Sequence, residues 1–195
     1  MNGQRSAAHS GDRTAFVDHR SPSDVSRPAP PSNPEAPPGA PEAMQPLVRV
    51  GERLQHRMRY SREDISRFAT LSLDSNPVHH DVEAARAARH GDIIASGQQT
   101  SALLSGLAAS HFSRADDGVP REMLCLHFNF AYRAPIFAGS EVLLQWQVAE
   151  IEWNPALTGF IVQIDGQASV GAVVAVTARG TVLVRRAEVD AGVVG

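Results

Sequence analysis

The second half of the sequence changes from a helical to a strand-like pattern, and this change limits the possible folds most strongly. An apolar segment over residues 97–111 is rich in small side chains, which predicts a central helix buried on most sides. After Pro120, apolar side chains recur at every second position from Leu124 to Tyr132, which predicts a long strand with these side chains on one face. Further strands are predicted at 141–153, 159–165 and 172–185. Helices followed by strands indicate an α+β domain, with an antiparallel sheet wrapped around one buried helix.

The first half predicts one strand and two short helices ahead of the central helix. A weak alternation over residues 53–60 predicts the strand. Ser61 and Asp64 have the spacing of a capping box, which predicts the start of the first helix. A second short helix is predicted over 82–89. The loop that joins the two helices, over 73–80, is expected to be extended because it contains a proline.

Proline divides the chain of 195 residues into two regions. Nine of the 13 prolines lie at or before Pro46, and residues 1–46 are poor in apolar side chains that could offset the entropy of ordering. We expect a disordered, proline-rich tail, either a docking segment in polyproline II or an extension without a role, and Met44 offers an alternative start. Residues 47–187 should form the one folded domain, followed by a short flexible C-terminus at 188–195.

Charge, cysteine content and hydropathy exclude several functional classes. A net charge of -3 with scattered arginines gives no basic surface for nucleic acid. A single cysteine, Cys125, cannot form an internal disulfide, and His79, His80, Asp81 and His90 lack the spacing of zinc ligands, so we predict no metal and no cofactor. No apolar stretch reaches the ~18 residues of a membrane span, and no signal peptide is evident. We therefore predict a cytoplasmic protein without nucleic-acid or membrane partners.

The loop between the first two helices concentrates side chains that could perform chemistry. Asp74, Asn76 and His79 fall within six residues, and Pro77 restricts the backbone between them. The loop could hold the carboxylate and the imidazole on either side of one water molecule, the carboxylate accepting a proton and the imidazole donating or orienting one. Asn76 can brace the turn through its side chain. Ordinary turn composition, with an incidental histidine, is the alternative interpretation.

Gly97 lies at the start of the central helix, about twenty residues after this loop. A glycine there leaves backbone N–H groups free, and the helix dipole adds positive potential. The helix start could therefore bind an oxyanion or a thioester carbonyl. A plain cap, with glycine allowing close packing, is the alternative.

Together these segments resemble the MaoC-like hydratases, the (R)-specific enoyl-CoA hydratases and related (3R)-hydroxyacyl dehydratases. The resemblance covers about residues 48–186. It rests on Phe68-Ala69, Asp74-Ser75-Asn76-Pro77-Val78-His79, Ile94-Ala95-Ser96-Gly97 and the segment 128–142. It implies the hotdog fold, a homodimer, and a hydro-lyase that acts on an acyl-CoA or acyl-carrier-protein thioester.

The resemblance also implies a role for individual residues. Asp74 and His79 match the catalytic pair that activates water, and Gly97 matches the residue whose N–H polarises the thioester carbonyl. Residues expected to line the substrate pocket are Asn76, Ser96, Gln98 and Ser105, of which Asn76 is expected to brace the loop and Ser105 could equally be a packing residue. The alternatives to an enoyl-CoA hydratase are a (3R)-hydroxyacyl-carrier-protein dehydratase and a non-catalytic hotdog module that binds acyl thioesters.

Four positions depart from the family pattern. Ser96 stands where histidine is frequent, while Gln98, Gln99 and His80 stand where apolar residues are usual. These side chains make the mouth of the site more polar than a long fatty-acyl chain would favour. We therefore expect a short or functionalised acyl group.

Overall fold

A computed structural model describes residues 45–187. Most of the predicted tail, residues 1–44, and the predicted C-terminal segment, residues 188–195, lie outside the described residues. No helix within residues 45–187 combines the length and apolar character needed to cross a membrane.

The elements follow the predicted order of a strand, helices and then strands. They are β1 Arg53–Arg59, α1 Arg62–Leu71, a 3₁₀ turn Pro77–His79, α2 Val82–Ala87, α3 Gly97–Phe112, β2 Arg121–Tyr132, β3 Glu141–Asn154, β4 Gly159–Val170 and β5 Val173–Arg186. The second helix ends two residues earlier than predicted, and β4 is five residues longer. The loop between α1 and α2 is not wholly extended, because it contains the 3₁₀ turn.

The five strands form one antiparallel sheet in the order β1-β3-β4-β5-β2. This order leaves β1 and β2 at the two edges. The central helix α3 packs on the sheet, and the indole Nε1 of Trp146 on β3 donates a hydrogen bond of 2.8 Å to the Leu104 carbonyl of α3. Trp146 is 1% exposed, so it is part of the core, and it fixes α3 against the sheet.

The central helix is buried along one side only. Thr100, Leu104, Ala108 and Phe112 are almost fully buried against the domain. Exposed positions on the other side are Gln98, Ala102, Gly106 and Ala109. The expected burial on most sides is therefore wrong for a single copy of the chain.

A β-bulge in β2 changes the face on which its apolar residues lie. The register with β5 shifts between Cys125 and His127, so Leu126 has no opposite partner. Gly180 and Val182 lie two residues apart on β5, so they share a face of the sheet. Phe128 pairs with Gly180 and Cys125 pairs with Val182, so Phe128 and Cys125 also share a face. Leu124 then lies on the opposite face, and the prediction of one apolar face from 124 to 132 is wrong at its start.

Candidate active site

The end of α1 sets the backbone position of Asp74. The N–H of Leu73 donates to the Thr70 carbonyl (3.2 Å), and the N–H of Asp74 donates to the Ala69 carbonyl (2.8 Å). These two bonds form a Schellman motif, which normally has glycine where this chain has Leu73 with φ +60°. Asp74 is thus tied by its N–H to the last turn of α1.

The 3₁₀ turn that follows presents His79. Asn76 precedes this turn, and its side-chain oxygen accepts a hydrogen bond of 3.3 Å from the Val78 N–H. Pro77 occupies the first position of the turn, where its missing N–H costs nothing. The backbone N–H of Asn76 also donates to Asp74 Oδ1 (3.1 Å), so Asn76 braces the turn and holds the carboxylate.

Asp74 and His79 come together in a largely enclosed position. His79 Nε2 lies 3.4 Å from Asp74 Oδ2, and the two side chains are 8% and 29% exposed. His79 Nδ1 lies 2.7 Å from the carbonyl oxygen of Ile94. A carbonyl can only accept, so Nδ1 carries the proton of the neutral ring, and Nε2 then presents a lone pair towards Asp74. A water molecule that donates to both Nε2 and Oδ2 matches this arrangement of two acceptors.

The segment 93–95 connects this pair to the start of α3. The Ile94 N–H donates to the Val78 carbonyl (3.3 Å), while the Ala95 N–H donates to the Ile136 carbonyl (2.8 Å). The segment is therefore held between the 3₁₀ turn and the loop after β2. Since Ile94 also accepts from His79, the position of the imidazole and the position of the helix start depend on the same three residues.

The first turn of α3 keeps its backbone donors available. Ser96 occupies the N-cap position and is 2% exposed, but its hydroxyl donates to Gln98 Oε1 (2.6 Å) and makes no capping bond. Within residues 45–187, the N–H groups of Gly97 and Gln98 have no hydrogen-bond acceptor. They remain free for an anionic or carbonyl oxygen of a ligand.

Tyr132 covers one side of this helix start. A Cβ atom added at Gly97 would lie 2.8 Å from Tyr132 Cε1, so only glycine allows the phenol ring to be this close. The Tyr132 hydroxyl lies 2.8 Å from Ser101 Oγ on the next turn of α3. These contacts place an aromatic wall beside the Gly97 N–H.

Ser105 does not take part directly in this arrangement. Its hydroxyl donates to the Ser101 carbonyl one turn earlier in α3 (2.8 Å). Among the described contacts, none joins Ser105 to Asp74 or His79. Gln98 is exposed beside the helix start, where its side chain accepts from Ser96.

A cavity of about 540 Å³ opens beside the start of α3. Its lining includes Gly97, Gln98, Tyr132 and the two cationic side chains of Arg89 and Arg133. No acidic residue of the described part of the chain lines it, and neither arginine forms an ion pair there. The cavity is therefore electropositive next to the free N–H groups.

The contacts of three contributors to the site were not predicted from the sequence. They are the Ile94 carbonyl, the ring of Tyr132 and the side chain of His80, which lies within hydrogen-bond distance of the Asp74 carbonyl and Ser66. Only His80 left a signal in the sequence, as a departure from the family pattern. Across residues 45–187, no group of three His, Cys, Asp or Glu side chains is arranged to hold a metal ion.

Comparison with known protein families identifies the family to which this chain belongs. The family model described as "MaoC like domain" matches residues 45–155, which is more than half of the chain. The chain belongs to the MaoC-like family. This confirms the resemblance inferred from the motifs.

MaoC-like relatives with assigned names include both reaction types. The mitochondrial 3-hydroxyacyl-[acyl-carrier-protein] dehydratase of Arabidopsis thaliana is 33% identical over 52% of this chain, and the match spans 56% of that protein. The chain thus matches little more than half the length of this plant relative. The (R)-specific enoyl-CoA hydratase of Aeromonas caviae is 24% identical over 69% of this chain and 94% of the relative. These names agree with the prediction of a hydro-lyase.

The solved MaoC-like structures confirm the fold. The (R)-hydratase from A. caviae superposes with a TM-score of 0.61 at 23% identity, covering 70% of this chain and 96% of that chain. The antiparallel sheet with α3 packed on it is therefore the predicted α+β hotdog fold.

Proposed function

We propose that this MaoC-like protein is a hydro-lyase that adds water to a trans-2-enoyl thioester and forms a (3R)-hydroxyacyl thioester. The observation that carries the proposal is the 3.4 Å approach of His79 Nε2 to Asp74 Oδ2, with the tautomer of His79 set by the Ile94 carbonyl. This pair can hold and deprotonate a water molecule from two sides.

The proposed chemistry gives each part of the site a role. The oxygen of the held water forms a bond to C3 of the enoyl group, and the Asp74–His79 pair takes up the released proton. Electron density moves to the thioester oxygen, where the Gly97 N–H and the positive end of α3 stabilise it. The pair then delivers the proton to C2, so one water molecule is added and the enzyme returns to its starting state. Elimination of water runs through the same steps in reverse.

The cavity beside α3 suits the carrier of the acyl group. Arg89 and Arg133 line it without ion-pair partners in the described chain, and a phosphate of coenzyme A or of a carrier protein's prosthetic group would supply the anion. We propose coenzyme A as the carrier. A carrier protein is the second candidate, because the plant relative, at 33% identity, is named for that carrier.

We also propose that two copies associate through the β2 edge. Within residues 45–187, strand β2 pairs only with β5, and it exposes Leu124, Leu126 and Tyr132 at 48%, 49% and 52%. A free edge with exposed apolar side chains favours pairing with a second strand. Light scattering should give twice the mass of one chain, and a single-chain mass would contradict this part of the proposal.

A thioester panel tests the reaction and the carrier together. Loss of the enoyl-thioester absorbance is followed with wild-type protein and matched coenzyme A and carrier-protein substrates, and the product is resolved on a chiral column. We expect a faster reaction with coenzyme A and the (3R) product. Faster reaction with the carrier protein would favour the dehydratase. Binding of both substrates without reaction would favour a non-catalytic module.

A further inference from the structure

We infer that His80 is a positioning residue for Asp74, acting as a strut between helix α1 and the backbone of the catalytic loop. This inference rests on the proposed function, since it assigns a role within the same site. It concerns one of the four positions at which this chain departs from the family pattern, the one directly after the motif histidine.

The two ring nitrogens of His80 are both engaged. Nε2 lies 2.8 Å from the Asp74 carbonyl oxygen, and Nδ1 lies 3.0 Å from the Ser66 hydroxyl on α1. The carbonyl can only accept, so Nε2 carries the proton of the neutral ring and Nδ1 accepts from Ser66. His80 therefore holds the opposite tautomer to His79, whose proton is on Nδ1.

These bonds complete the anchoring of Asp74. Its N–H is bonded to Ala69, its Oδ1 accepts from the Asn76 N–H, and its Oδ2 faces His79. Within the described residues, His80 supplies the one hydrogen bond to the Asp74 carbonyl. Without it, the Asp74 carbonyl loses its one restraint, and we expect the carboxylate to shift relative to His79.

The strained residue before Asp74 makes this restraint more important. Leu73 has φ +60° and is 91% exposed as a residue, so packing does little to hold its left-handed backbone. The loop is therefore held in place mainly by hydrogen bonds. The His80 ring joins the Asp74 carbonyl to Ser66 on helix α1. This connection restrains the distance between Asp74 Oδ2 and His79 Nε2.

The first test separates a strut from a residue that serves only stability. His80→Leu should lower kcat about tenfold or more with little change in KM, because small misplacement of a catalytic group is costly. His80→Gln, which restores an N–H donor at the position of Nε2, should recover most of that loss. His56→Leu, an exposed histidine on β1, is the matched control and should leave kcat unchanged.

A double-mutant cycle and nitrogen NMR complete the test. Ser66→Ala should lower kcat less than His80→Leu, and the double variant should be no slower than His80→Leu, since both act through one connection. The ¹⁵N spectrum should show the proton on Nε2 for His80 and on Nδ1 for His79.

The outcomes distinguish this inference from the proposed function. If wild type hydrates the enoyl thioester, Asp74→Asn abolishes the reaction and His80→Leu keeps the wild-type kcat, the strut is contradicted and the function stands. Three further results would overturn the role of His80. They are a kcat of His80→Gln no higher than that of His80→Leu, additive effects of Ser66→Ala and His80→Leu, and a proton on Nδ1 of His80. A wild type that is inert with every thioester overturns both.

Discussion

The phenol ring of Tyr132 lies against the Cα atom of Gly97 at the first residue of α3, and a side chain at Gly97 would overlap it. An added Cβ would lie 2.8 Å from Tyr132 Cε1, while the Tyr132 hydroxyl is held 2.8 Å from Ser101 Oγ. This contact joins the end of β2 to the helix start that is proposed to bind the thioester carbonyl.

Gly97→Ala should therefore impair catalysis without unfolding the domain. Displacing Tyr132 or the helix start by a fraction of an ångström should lower kcat about 10-fold to 100-fold. Gly106→Ala is the matched control in the same helix, because a Cβ there would meet no described atom within 4 Å apart from its own helix backbone and its chain neighbours. It should keep kcat and raise the free energy of unfolding by about 0.5–1 kcal/mol. Equal kinetics for the two variants would contradict the role given to Gly97.

Arg89 and Arg133 should govern binding of the carrier. Replacing either by alanine should raise KM for the enoyl-CoA about fivefold, as expected from losing one partly exposed charge contact of about 1 kcal/mol. The value of kcat should change little, and the effect should shrink at high salt. Arg59→Ala, an exposed arginine on β1, is the control. Unchanged KM in both cavity variants would show that the phosphate binds elsewhere.

Gln99 stands where an apolar residue is usual in the family, so we expect it to disfavour a long acyl group. The residue is 4% exposed, and its Oε1 is buried without a hydrogen-bond partner in the described structure. Gln99→Leu removes this unsatisfied oxygen, which should stabilise the fold by about 1 kcal/mol or more. In a series of substrates from crotonyl to dodecenoyl thioesters, the chain length with the highest kcat/KM should become longer in this variant. Wild-type activity that already peaks at a long chain would contradict the expected short or functionalised substrate.

Glu52 should contribute to stability in a defined pH range. A hydrogen bond from His111 (2.7 Å) lowers the pKa of Glu52 from 4.5 to about 2, with further help from Arg49 and Arg114, against the opposing effect of burial. A lowered pKa in the folded state adds stability that is complete above pH 4.5 and is lost as the pH falls towards 2.

Thermal unfolding between neutral and acidic pH tests this contribution. Glu52→Gln should cost about 1–2 kcal/mol at neutral pH, a value discounted for partial exposure, and its Tm should then fall less steeply than that of wild type below pH 4.5. Glu63→Gln, in an exposed pair with Arg67, is the control. Parallel Tm curves for wild type and Glu52→Gln would contradict the assignment.

The order of the elements could be predicted because helices and strands have different apolar periods. The alternation after Pro120 and the apolar segment before it were sufficient for an α+β domain with one central helix. The bulge at Leu126 could not be predicted, since one inserted residue changes the face of a strand without breaking its apolar pattern. The exposed side of α3 was also missed, because small residues fit both a buried helix and an open surface.

The candidate site was predictable where its residues are close in sequence or mark the start of a helix, as Gly97 does. The spacing of Asp74, Asn76 and His79 indicated a carboxylate and an imidazole in one turn, and the structure brings these groups within 3.4 Å. The role of the Ile94 carbonyl was not predictable, because a backbone acceptor has no sequence signature. The role of Tyr132 was not predictable either, because in the sequence it is one more apolar position of an alternating strand.

The most direct test of the central claim is the hydration rate of crotonyl-CoA by Asp74→Asn and His79→Gln. Asp74→Asn keeps the shape of the side chain and His79→Gln keeps a polar side chain of similar length, while both remove proton transfer, so we predict that kcat falls about 100-fold to 10,000-fold, with both variants folded. His56→Gln, at an exposed position, should keep full activity. Either variant reacting within about tenfold of the wild-type rate would contradict the claim that this pair activates water.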